Sequence, residues 1–61
     1  MRHPAAGDVI KLPAGDDTIV SSVAAGIVHL ARGGACAIED LAEPGDGGHC
    51  DFILRSMHAY V

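Results

Sequence analysis

The chain has 61 residues, a formal net charge of −4 and only two cysteines, Cys36 and Cys50. A domain of this size buries only about 60% of its unfolded surface, so little material is left for a substrate pocket of several hundred Å³. Eight acids face four scattered cations, Arg2, Lys11, Arg32 and Arg55, which argues against direct nucleic-acid binding, because that needs clustered basic residues to displace counterions.

The longest apolar run, residues 23–28, falls far short of the ~20 residues of a membrane span. No apolar N-terminal run suggests a signal peptide, and the two cysteines do not make a disulfide framework, so the expected compartment is the reducing cytoplasm. A single domain over 1–61 is expected, with an extended arm in 1–15 and a compact part in 16–61.

In chain order, Pro4 and Pro13 flank the β-branched Val9 and Ile10, which predicts an extended arm or short strand there. Asp16 and Asp17 are N-cap candidates for a helix over 18–32. Along it Val20, Val23, Ala24, Ile27, Leu30 and Ala31 recur at helical spacing, and Gly33 and Gly34 would end it. Residues 35–43 read as a second, shorter helix with Ile38, Leu41 and Ala42 on one face, stopped by Pro44 and Gly45.

In 49–61 a helix gathers Cys50, Ile53, Leu54, Met57, Tyr60 and Val61 on one side and Asp51, Arg55 and His58 on the other. The predicted fold is thus mainly α, a small domain of two to three amphipathic helices with an extended N-terminal arm. The alternative is an α+β fold, βαββ, in which 35–41 and 50–56 pair as a C-terminal hairpin.

Four potential metal ligands, Cys36, His49, Cys50 and His58, lack the close paired spacing of zinc sites, so no cofactor or metal is expected. Cys50 has His49 and Asp51 as neighbours, but consecutive helical side chains diverge and cannot act as nucleophile and base; the protein is read as not an enzyme. The glycines at 45, 47 and 48 precede no Lys-Ser/Thr pair, and Asp46 would repel phosphate, so the stretch reads as a turn rather than a phosphate loop.

What stands out is the run of acids Glu39, Asp40, Glu43, Asp46 and Asp51, uninterrupted by Lys or Arg. Glu39 and Glu43 would be a like-charge i,i+4 pair on a helix, a small cost that a surface shaped for a basic partner would carry. The functional expectation is a non-enzymatic interaction module that docks on a basic protein through Glu39, Asp40, Glu43 and Asp46. In size and charge it is like small acidic inhibitors of phages and mobile elements, anti-CRISPR proteins and antitoxins, a likeness of class only. The structural alternative is a homodimer, or an accessory subunit of a larger assembly, packed through Ile53, Leu54, Met57, Tyr60 and Val61. A thin core in so short a chain favours self-association.

Overall fold

A computed structural model describes residues 2–45 and 48–55. It is all-β, which overturns both the mainly α fold and the βαββ alternative. The strands are β1 (Val9–Lys11), β2 (Asp17–Ala24), β3 (Ile27–Leu30), β4 (Ala35–Ala37), β5 (Leu41–Ala42) and β6 (Phe52–Leu54), with a one-turn 3-10 helix, Ile38–Asp40, between β4 and β5. They form one mixed sheet in the order β4-β3-β2-β1-β6-β5, curled nearly into a barrel. All neighbours are antiparallel except β1 and β6, which run parallel with Ile10 opposite Phe52.

The residues expected to form the 18–32 helix are instead the β2–β3 hairpin. Its inward side chains are Thr18, Val20, Val23, Val28 and Leu30, spaced by two within each half-strand, as a pleat demands. Two irregularities stretch that period. A bulge at Ser21, where Val20 faces Leu30 but Ser22 faces His29, inserts one residue; the Ser21 hydroxyl donates to the His29 carbonyl at 3.1 Å. The turn Ala25-Gly26 then reverses the chain with φ of 53° and 78°, the two positive values of a type I′ hairpin turn. Bulge and turn together make a strand pair look like a helix in sequence.

The other two helices also dissolve. Residues 35–43 hold two short strands around the 3-10 turn, and in place of a helix over 49–61 there is the strand β6, while 56–61 lie outside the described residues. The hairpin partner of β6 is β5, with Leu41 opposite Leu54; β4 pairs with β3 instead. The segment around Val9 and Ile10 is a strand, but it sits in the middle of the sheet between β2 and β6 and is not a free arm.

The barrel interior is filled by Ile10, Leu12, Val20, Val28, Leu30, Cys36, Leu41, Phe52 and Leu54, with Val23 and Ile38 packed against them. Phe52 and Ile10 are fully buried neighbours at its centre, and Pro4 is buried with them. Burial of about ten such side chains, at roughly 1.5–3 kcal/mol for each large one, is the main force closing the sheet.

Candidate functional site

The first two acids of the run, Glu39 and Asp40, land on the connection between the two edge strands. Glu39 is exposed and Asp40 half-buried in the 3-10 turn, and Glu43 is exposed just past β5; Asp46 lies outside the described residues. The turn is pinned from β6: the Arg55 amide donates to the Asp40 carbonyl at 3.0 Å, and Arg55 Nη2 donates to the Glu39 carbonyl at 2.6 Å. At its start, the Ile38 amide donates to the Gly26 carbonyl at 3.0 Å. Both ends of the turn are therefore held by main-chain bonds, one to the β2–β3 turn and one to the residue that follows β6. These bonds use the carbonyls of Glu39 and Asp40, while the Glu39 side chain faces solvent.

Three acids elsewhere, Asp8, Asp16 and Asp51, are paired with arginines. Arg2 Nη2 meets Asp51 Oδ1 at 2.6 Å and Nη1 meets Asp8 Oδ2 at 3.4 Å, while the guanidinium lies 5.1 Å from the centre of the Phe52 ring, within cation–π range. The second oxygen of Asp51 accepts from the Val9 amide at 2.8 Å, and the Asp51 amide donates to the Val9 carbonyl at 2.8 Å. Asp8 Oδ2 accepts from the Ala5 amide at 2.9 Å. On the other side of the molecule Arg32 pairs with Asp16 at 3.0 Å. Sequence reading named Asp51 as a member of the acidic run and a neighbour of Cys50, and Asp16 as a helix cap, but it paired none of these acids with its arginine. Asp51 lies 49 residues from Arg2, so no local spacing could announce that pair.

The remaining candidates separate in space. Cys36 is buried in the core on β4, where burial and then the nearby Asp40 carboxylate push its thiol pKa up, away from the reactive thiolate. Cys50 is a half-buried free thiol, and its neighbour Asp51 is engaged by Arg2 and Val9 rather than by His49, which is exposed. Among the described residues no three of His, Cys, Asp and Glu come together to hold a metal ion; His58 lies outside those residues. The Gly48 amide donates to the Gly45 carbonyl at 3.2 Å, which occupies an N–H that an anion would need.

The proposed association residues split across the sheet. Strand geometry turns Leu54 inward, 3% exposed in the core, and Ile53 outward beside Lys11 and Ala42; Met57, Tyr60 and Val61 lie outside the described residues. The outer face carries a further apolar residue that helical periodicity gave no reason to single out, Ile19, 49% exposed opposite Val9. No helix among the described residues is long and apolar enough to cross a membrane. Compared with protein-family models, curated proteins and solved structures, the chain finds no match.

Proposed function

We propose that this domain is a non-enzymatic docking module that binds a basic protein through the acidic connection between β4 and β5, with Glu39, Asp40 and Glu43 as its anionic contacts and Asp46 continuing the run in sequence. The observation that carries the reading is the exposure of the Glu39 side chain on a turn whose main chain is anchored. Arg2 serves Asp8 and Asp51, Arg32 serves Asp16, and Arg55, the cation beside the turn, donates to a backbone carbonyl of that turn. The exposed Glu39 carboxylate is thus presented on a rigid, main-chain-anchored turn, the arrangement that steers a partner of opposite charge. A partner that normally holds nucleic acid would meet these carboxylates where it meets phosphates. The two free thiols support a reducing compartment such as the cytoplasm.

The test uses a lysine- and arginine-rich peptide as probe, with association rates measured across a salt series. The triple reversal Glu39→Lys, Glu43→Lys, Asp46→Lys is expected to slow association and flatten its salt dependence. Its thermal stability should move by no more than about 0.5 kcal/mol, as exposed substitutions usually do. A triple variant that binds the peptide at the original rate, with the original salt slope, removes the acidic turn as the docking surface.

A further inference from the structure

The turns β1–β2 and β3–β4 stand side by side and enclose a hollow of about 230 Å³ lined by Leu12, Ala14, Asp16, Leu30, Arg32 and Gly33. Its floor is fixed, because Leu12 and Leu30 belong to the core and are under 10% exposed. Its walls are low: Ala14 contributes a methyl group and Gly33 no side chain. At the mouth sit a carboxylate and a guanidinium, Asp16 Oδ2 and Arg32 Nη1, 3.0 Å apart with both side chains about half exposed.

The two turns do not depend on that ion pair for their shape. The first is closed by the Leu12 amide on the Asp16 carbonyl at 2.7 Å and the Gly15 amide on the Leu12 carbonyl at 2.9 Å. The second is closed by the Leu30 amide on the Gly34 carbonyl and the Gly33 amide on the Leu30 carbonyl, both 3.0 Å. An exposed pair of this kind contributes little to folding. Asp16 and Arg32 are consequently free to exchange each other for a ligand without loosening either turn.

Size and charge narrow the ligand. The volume lies below the ~300–1,000 Å³ of pockets for drug-sized molecules, so a nucleotide or a large cofactor does not fit but a single aliphatic side chain does. A ligand bearing only a cation would face Arg32, and one bearing only an anion would face Asp16 and the neighbouring exposed Asp17. A neutral apolar ligand would leave both charged groups unused. Opposite charges side by side above an apolar floor match a molecule whose own opposite charges flank the carbon that carries an apolar side chain. We propose that this pocket binds a free α-amino acid with a branched aliphatic side chain, its ammonium on Asp16, its carboxylate on Arg32 and its side chain on Leu12 and Leu30. Charge-assisted hydrogen bonds at both ends set the orientation. The site is separate from the acidic turn and stands or falls independently of it.

The probe is L-leucine, titrated into the isotope-labelled chain while amide resonances are followed by NMR. Saturable shifts are expected at Ala14, Asp16, Arg32 and Gly33, with millimolar affinity as befits so few contacting atoms. Asp16→Asn and Arg32→Gln should each weaken binding by about tenfold, the scale of one lost charged contact. Leucinamide, which lacks the carboxylate, and N-acetyl-leucine, which lacks the ammonium, should show the same loss against the unchanged chain. The spectra of the two variants away from the pocket report that they are folded. No saturable shift with leucine overturns the proposal. So does equal binding of all three compounds, which would make the hollow merely apolar, and so does a response confined to the lysine- and arginine-rich peptide, which would make the ion pair part of a basic partner's footprint.

Discussion

The first four strands and the last two belong to one sheet but are held by different kinds of information. From β1 to β4 each strand pairs with the one before it through a tight turn, so register is set within a few residues of the chain. Strands β5 and β6 are separated in sequence by residues 43–51, so no short connection sets their register. Their positions come from afar: Asp51 reaches Val9 across 42 residues and Arg2 across 49, and Phe52 docks beside Ile10. The contrast teaches that the early strands are a problem of local turn chemistry, whereas the late ones are a problem of core and clamp.

The most damaging way to break the second half is to empty its anchor. Phe52→Ala removes a fully buried ring from the centre of the barrel and should cost about 3–5 kcal/mol. That is a large share of the stability available to a chain of this size, and urea unfolding followed by far-UV circular dichroism should show a chain largely unfolded before denaturant is added.

A smaller effect separates the two roles of Asp51. Asp51→Ala leaves the part-buried Val9 amide without its side-chain acceptor and should cost about 1–3 kcal/mol. Asp51→Asn retains an acceptor oxygen for that amide and loses only the charge opposite the exposed Arg2, so its cost should stay below about 1 kcal/mol. Equal losses in the two variants, measured by chemical denaturation, would show that the ion pair and not the backbone bond holds β6 in place.

The smallest expected change sharpens the first half. Ala25 sits at φ 53°, a left-handed conformation that costs an L-residue with a plain side chain about 1 kcal/mol. Asparagine tolerates it and suits the first central position of a type I′ turn, so Ala25→Asn should raise stability by about 0.5–1 kcal/mol. Thermal melting that moves down would assign the turn to another type.

These two regimes also explain what could be read in the sequence. The Val9-Ile10 strand was visible because prolines flank it, and the breaks at Gly33-Gly34 and Pro44-Gly45 were visible as loops. The β2–β3 hairpin was hidden for a physical reason: Ala25-Gly26 has none of the polar turn residues that advertise a reversal, and the bulge at Ser21 moved Val23 onto a helical spacing from Val20. In the 35–43 and 49–61 segments, short strands stabilised by remote partners carry too few residues to display a period of two. The acidic run was legible as composition, but the placement of Glu39 and Asp40 on the connection between the two edge strands was not. The Asp16–Arg32 pair was obscured by the helix reading over 18–32, which put Asp16 as a cap at one end and Arg32 at the other.

The 3-10 turn between β4 and β5 has one more consequence. The outermost strands of the sheet are three and two residues long and are joined directly to each other by this turn. An edge of that length offers an incoming chain too few unpaired amides and carbonyls to grow on, which is how natural sheets resist runaway extension and fibre formation. A protein rich in alanine, valine and isoleucine would otherwise be at risk of such polymerisation. Among the described residues, then, the sheet offers a companion chain little backbone on which to add a strand.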